Sequence, residues 1–188
     1  MKRILALTLA ASLSTAAFAA SETYVIDSNH TKPTFGYSHF GYSNQISRFD
    51  STTGTITIDR AAKTGSVDVT VDTKSVNTGT ALFNEHIQGE DFFDTAKYPT
   101  ITFKSKKMNF EGDKVVSVEG NLTIKGITKP VKLVVISFLC MPHPMAKKDA
   151  CGANASAVIK RSDFNMAKYT PYVSDEVTLT IPVESIKQ

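Results

Sequence analysis

The sequence predicts an all-β protein, an extended eight-stranded antiparallel barrel with one short helical segment. Apolar and polar residues alternate along most of the chain, as in 66–72 and 177–183. Strict alternation is typical of strands that bury one face. Short clusters containing Gly, Asp and Lys separate these stretches, a spacing typical of antiparallel all-β folds. Eight such strands can close on themselves and so leave no exposed sheet edge.

The alternation places strands in eight parts of the chain, and the longest are expected to bend or split. Val, Ile, Thr and Phe are frequent there, and these residues fit a pleated sheet surface. The same alternation assigns Val116 and Val118 to a buried face. The predicted strands lie near 24–27, 33–40, 45–59, 66–74, 100–110, 114–124, 131–139 together with 153–161, and 176–185.

One region, 80–97, departs from the period of two. Leu82, Phe83 and Ile87 recur at helical spacing, and Gly89 is a residue at which helices commonly end. A single helix among many strands is well placed to cover one end of a barrel.

The N-terminal residues 1–19 have the pattern of an export signal. Lys2 and Arg3 precede a short apolar stretch at 4–13, and small residues stand before a cleavage point after Ala19. The apolar stretch is shorter than the roughly 20 residues that a transmembrane helix needs. We therefore expect cleavage of 1–19, no membrane span, and a mature protein in the periplasm or secreted.

The rest of the chain, 20–188, is predicted to form one domain, since it contains no linker, repeat or charge block. Hydrophobic residues make up 41% of the 188 residues and charged residues 21%, as in ordinary globular domains. Without Lys2 and Arg3 the chain has 19 basic and 18 acidic residues, a net charge of +1. Nucleic-acid binding requires a strongly basic surface, so we expect no nucleic-acid partner.

The two cysteines, Cys140 and Cys151, flank a proline-containing stretch that is typical of a hairpin connection. Export to an oxidising compartment favours a disulfide across the base of that hairpin. The alternative is a copper site, because free thiols together with Met141, His143 and Met145 would form a set of soft ligands. We favour the disulfide and expect no metal.

The alternation alone leaves the barrel interior undecided. An eight-stranded barrel either fills its interior with side chains or holds one small ligand there. Small inward residues such as Val67, Val69 and Val71 favour a cavity, but periodicity alone favours a filled core.

The mature chain resembles the YceI-like family of secreted, lipocalin-like proteins over nearly its whole length. Three long motifs stand in the family's order, after an opening that contains His30 and Phe35. The motifs are His86 to Asp94 (HIQGEDFFD), Gly120 to Val131 (GNLTIKGITKPV) and Arg161 to Asn165 (RSDFN).

This resemblance implies a lipocalin-like barrel around an elongated apolar tunnel. It implies that the tunnel holds an isoprenoid chain, such as a polyprenyl or quinone tail, or another amphiphilic lipid. It also implies a binding or carrier role, some link to stress responses, no enzymatic activity and no cofactor beyond the bound lipid. A homodimer is left open. The alternative is a non-catalytic stress-response or interaction module with a solid barrel core.

Within an alternating strand every second residue faces the interior, a position that we call the inward parity. The inward parity and the resemblance together predict which residues contact the ligand. His39 has the inward parity and could meet a headgroup, although an ordinary barrel-end histidine is the favoured interpretation. The predicted walls are Phe35, Tyr37, Ile56, Ile58, Val67, Val69, Val71, Ile101, Phe103, Leu122 and Leu133. The predicted lid is Leu82, Phe83, Ile87, Phe92 and Phe93.

Overall fold

A computed structural model describes residues 21–188 as a closed antiparallel barrel; the predicted export signal lies outside the described residues. The alternating stretches form strands because each can bury one row of side chains inside the barrel. The elements are β1 Glu22–Ile26, β2 Thr34–His39, β3 Ser43–Phe49, β4 Thr52–Asp59, β5 Thr64–Asp72, β6 Val76–Asn77, α1 Ala81–Gln88, β7 Thr100–Glu111, β8 Lys114–Ile124, β9 Ile127–Pro142, β10 Asp149–Lys160 and β11 Glu176–Lys187.

Eight strands close the barrel in the order β1, β4, β5, β7, β8, β9, β10 and β11. The ring closes where β11 pairs with β1, with Lys187 opposite Tyr24 and Ser185 opposite Ile26. Farther along, β11 also pairs with β2, and the sheet continues through β3 to β6. The predicted eight-stranded barrel is confirmed. The assignment of two strands is wrong: 131–139 and 153–161, predicted as one strand, are the separate paired strands β9 and β10, whereas 24–27 and 33–40, predicted as two strands, are β1 and β2, which lie one after the other beside β11. The next two strands are also split, into β3 with β4 and β5 with β6.

Side-chain hydroxyls connect the loops at these splits. The Thr31 hydroxyl accepts from the backbone N–H of Glu184 and donates to its carbonyl. The backbone N–H of Thr52 donates to the Ser28 hydroxyl. These contacts satisfy backbone groups that no longer belong to a regular strand pair.

Three bulges change which residues face inward. The bulged residues are Lys106 in β7, Val116 in β8 and Ile136 in β9. The residues on either side of each one are paired with the neighbouring strand, but the bulged residue itself is not. One extra residue reverses the inward parity of all that follows. As a result Val115 and Val118 line the interior. The prediction that Val116 faces the interior is wrong.

The predicted helix is confirmed as α1, which ends at Gly89. The chain then folds back on the helix, where the backbone N–H of Phe93 donates to the Ile87 carbonyl. The segment rejoins the barrel at Thr73, whose backbone N–H donates to the Pro99 carbonyl. Within 21–188, no helix has the length and apolar character needed to cross a bilayer.

The hairpin of β9 and β10 is closed by a disulfide. Cys140 and Cys151 are opposite each other in the register, with Cα atoms 4.1 Å apart, and their sulfur atoms are bonded. The predicted disulfide is confirmed. The copper alternative that used both thiols is therefore wrong.

Candidate ligand cavity

The barrel encloses a cavity of about 370 Å³, lined almost entirely by aliphatic and aromatic side chains. This volume lies within the range of known small-molecule sites. The interior is hollow, which contradicts the solid-core alternative.

Small side chains on two strands leave this space. On β10 the wall includes the small residues Gly152, Ala153 and Ala155, and on the other side β5 contributes valines such as Val67 and Val69. Phenylalanines at these positions would reach across the interior, whereas alanine and valine stop near the wall. The hollow is therefore a consequence of the residue sizes on these strands.

At one end, which we call the closed end, several lining residues are almost fully buried. Ile58, Met108, Val115 and Ser185 line the cavity there, and each is at most 7% exposed. Tyr24 lies beside this end and is fully buried.

A polar network seals the closed end from outside. The Tyr24 hydroxyl donates to Glu22 Oε2 over 2.7 Å, and Lys187 Nζ lies 2.6 Å from Glu22 Oε1. The bond from Lys187 is the largest cause that lowers the pKa of Glu22 to about 2; the Tyr24 and Arg60 bonds add to it. Burial, with the Glu22 carboxylate beside it, raises the pKa of Tyr24.

At the other end, which we call the open end, lining residues are exposed to solvent. His39, His86 and Tyr169 line the cavity and are exposed. The rings of Tyr169, His86 and Phe92 contact one another, with centroids 5.0 to 6.5 Å apart. The cavity therefore communicates with solvent through an aromatic rim.

Packed phenylalanines hold the segment after α1 against the barrel. The Phe93 ring meets Phe35 and Phe49 edge-on, with centroids 5.7 and 5.3 Å away. Such edge-to-face pairs are favoured by the charge distribution of aromatic rings. This contact fixes one side of the open end while the rim rings remain exposed.

Few polar groups interrupt the apolar wall. Arg161, 7% exposed, lines the cavity near the open end. Tyr37 is also buried there, and burial raises the pKa of its hydroxyl. The Thr52 hydroxyl is buried in the wall and has no hydrogen-bond partner within the described residues.

Sixteen of the seventeen predicted contact residues line the cavity. The exception is Leu82, which is 81% exposed and points away from the interior. That the sixteen contact a ligand stays a prediction. They are Phe35, Tyr37, His39, Ile56, Ile58, Val67, Val69, Val71, Phe83, Ile87, Phe92, Phe93, Ile101, Phe103, Leu122 and Leu133.

The sequence-based prediction omitted much of the wall on the C-terminal half. Two of the omitted residues, Val177 and Leu179 on β11, line the cavity, and the alternation of apolar and polar residues along that strand could have identified them. Met108 and Phe138 lie beyond the bulges of their strands. Counting every second residue from the start of either strand therefore places them on the outer face, although they face the interior. Tyr169 lies in a loop without periodicity.

Asp27, His30 and Glu184 are a group within 21–188 that could hold a metal, with candidate ligand atoms within 4.8 Å of one another. The group lies on the surface outside the cavity. His30 Nδ1 is 2.7 Å from Asp27 Oδ2, and this bond lowers the pKa of Asp27 and raises that of His30. A hydrogen-bonded ion pair accounts for the arrangement.

Within residues 21–188, a closed eight-stranded barrel with a hollow apolar interior and an aromatic rim at one end defines a lipocalin-like protein of the ligand-binding type. The model of the YceI-like domain matches residues 24–185. The chain belongs to the YceI-like family.

Relatives from bacteria agree with this assignment. Protein YceI of Salmonella arizonae is 36% identical over 190 residues, covering 100% of this chain and 98% of that protein. The crystal structure of Burkholderia cenocepacia BcnA superposes with a TM-score of 0.71 at 26% identity, covering 85% of this chain and 98% of that one. A polyisoprenoid binding domain from Saccharophagus degradans shares the fold, with a TM-score of 0.64 at 19% identity and coverage of 88% and 98%.

Proposed function

We propose that this protein binds a long apolar molecule in its barrel, and that it acts as a carrier in the periplasm or as a secreted protein. The proposed ligand is an isoprenoid with a polyprenyl or quinone-like tail, or another amphiphilic lipid of similar shape. The observation that carries the proposal is the hollow apolar interior that reaches solvent through the open end.

Burial of apolar surface accounts for such binding. Removing apolar surface from water contributes about 25 cal/mol per Å², from which the cost of ordering the chain is subtracted. A flexible tail inside a wall of aliphatic and aromatic side chains gains this contribution along its whole length. Neither a nucleophile nor a metal is needed, and we propose a binding protein rather than an enzyme.

Two further observations support the proposal. The structural relative from Saccharophagus degradans is a polyisoprenoid binding domain built on the same fold. The disulfide between Cys140 and Cys151 is of a kind that persists in oxidising compartments, which agrees with a periplasmic or secreted protein.

The first experiment is mass spectrometry of organic extracts from the purified protein. We expect a co-purified lipid with a long apolar tail. We also expect saturable binding of a fluorescent fatty acid or isoprenoid analogue to the delipidated protein. The chain contains no Trp, so its own fluorescence interferes little. An extract without lipid together with no saturable signal would contradict the proposal.

Two variants on adjacent positions of β10 test the cavity itself. Ala155 lines the cavity, whereas Ser156 is not among its lining residues. We expect Ala155→Phe to place a ring in the hollow and to weaken binding of the analogue by about tenfold or more. Ser156→Phe adds the same ring on the other face and should bind as the wild type does. Equal binding by both variants would show that the ligand lies elsewhere.

A further inference from the structure

Arg161 is the only residue with a permanent charge among the residues that line the cavity within 21–188. It begins the short 3-10 turn Arg161–Phe164 that follows β10, and its side chain is 7% exposed. A charge buried beside an apolar cavity is costly unless something compensates it. What surrounds the guanidinium therefore bears on what the cavity accepts.

Backbone carbonyls hold this guanidinium in place. Its Nε donates to the Ser174 carbonyl and its Nη2 to the Val173 carbonyl, each over 2.8 Å. Its Nη1 donates to the carbonyls of Met166 and Lys168. The side chain thus clamps the loop that carries the rim residue Tyr169.

The clamp leaves the positive charge without a carboxylate in contact. Among the described arginines, Arg48 and Arg60 form ion pairs and Arg161 forms none. Asp175 acts on Arg161 only from a distance, because its carboxylate accepts from the backbone and the hydroxyl of Ser162. A guanidinium has five N–H groups, and four hydrogen bonds leave one of them free.

Two lysines near the open end do not cancel this charge. Lys168 is paired with Asp91 at the surface. Lys125, 8% exposed, donates only to the carbonyls of Glu90 and Asn165, so it is a second buried cation near this end. An amphiphile that enters through the open end with its tail first extends the tail towards the closed end. Its headgroup then stays at the open end, near Arg161.

We propose that Arg161 gives the cavity a preference for ligands with an anionic or strongly hydrogen-bond-accepting headgroup, such as a carboxylate or a carbonyl. This inference rests on the proposed function and adds the headgroup class to it. The guanidinium is fixed before the ligand arrives, so the ligand does not bear the cost of ordering it. A cationic headgroup at the same place meets a like charge that has no carboxylate in contact.

The test is a competition experiment with three ligands that share a tail: farnesoic acid, farnesol and farnesylamine. Each displaces a fluorescent probe from the delipidated wild-type protein at pH 8, above the range in which histidine side chains ordinarily titrate. We expect the acid to bind about tenfold or more tighter than the amine, with the alcohol between them. Equal affinities or tighter amine binding would overturn the headgroup inference alone. Displacement by none of the three would overturn the proposed function as well.

Two variants separate the charge from the clamp. Arg161→Lys and Arg161→Gln both lose most of the carbonyl bonds, but only the lysine keeps the charge. We expect Arg161→Lys to retain the preference for the acid over the amine and Arg161→Gln to lose most of it. Lys160→Gln removes an exposed neighbouring charge and should leave the preference unchanged.

If Arg161→Gln keeps the full preference for the acid over the amine, a group other than Arg161 causes that preference. If both Arg161 variants fail to fold, the wild-type ligand series still decides the question.

Discussion

The closed end and the open end of the barrel are stabilised by different kinds of contact. Tyr24 at the closed end is fully buried and hydrogen-bonded to Glu22, and the disulfide ties the neighbouring hairpin. At the open end, Tyr169 is 49% exposed, and its ring contacts other rings at a solvent boundary. Stability is therefore expected to depend on the closed end, and ligand exchange on the open end.

The two ends also differ in how they satisfy charge. Glu22 at the closed end has Lys187, Arg60 and Tyr24 as partners. Arg161 near the open end has only carbonyls in contact. A compensated charge stabilises the fold, while a charge that lacks a counterion can still interact with a ligand.

The largest expected effect is the loss of the Tyr24 side chain. Tyr24→Ala removes a fully buried ring at the closed end, and we expect a loss of about 3 to 5 kcal/mol in the free energy of unfolding, measured by urea denaturation. Tyr24→Phe is the matched control, which keeps the ring and should lose only about 1 kcal/mol. A loss well below 1 kcal/mol in Tyr24→Ala would show that the closed end is not a main source of stability.

Removal of the disulfide is expected to have the next largest effect. The bridge closes a loop across an 11-residue separation, and a loop of this size predicts a loss of about 3 kcal/mol when both cysteines are replaced by alanine. Reduction of the wild-type protein should lower the unfolding free energy by a similar amount. Affinity for the fluorescent analogue should change little, because Cys151 is one small side chain of a large apolar wall. A large loss of affinity with unchanged stability would reverse the roles assigned to the two ends.

The fold and much of the cavity wall could be predicted from the sequence, since alternation determines which face of a regular strand is buried. The valines of β5 are an example, because no bulge interrupts that strand. Val116 shows the limit: one unpaired residue reverses the parity, and the alternation does not reveal where a bulge occurs.

The open end was the hardest part to predict. Helical spacing identified one side of α1, but Phe83 at the edge of that side faces the cavity and the adjacent Leu82 faces solvent. Tyr169 and the carbonyls that hold Arg161 lie in a loop, where no periodicity relates sequence to position. These residues are brought together by tertiary packing alone.

A change at the rim should affect ligand exchange more than stability. Tyr169→Ala removes a half-exposed ring from the opening, so we expect less than about 1 kcal/mol of destabilisation. Release of the fluorescent analogue, followed by stopped flow, should become several times faster because the ring no longer covers the opening. Tyr172→Ala is the matched control, since Tyr172 is 67% exposed and does not line the cavity. The same release rate in both variants would show that ligand leaves by another route.

The smallest expected effect concerns the pH dependence of the closed end. The folded-state pKa of Glu22 is about 2, below the ordinary value of 4.5, because Lys187, Tyr24 and Arg60 stabilise the ionised carboxylate. A lowered pKa contributes stability that is present above about pH 4.5 and is lost as the pH falls towards 2. A shift of this size would by itself contribute about 3 kcal/mol, but the Glu22 side chain is 28% exposed, and screening by solvent should reduce the contribution to about 1 kcal/mol or less. Glu22→Gln should therefore melt at a lower temperature than the wild type at pH 6, and this difference should shrink between pH 4.5 and 2.

Glu176→Gln, at an exposed position, should show no such convergence. A constant difference between Glu22→Gln and the wild type down to pH 2 would mean that the amide disturbs packing and that the carboxylate charge contributes nothing.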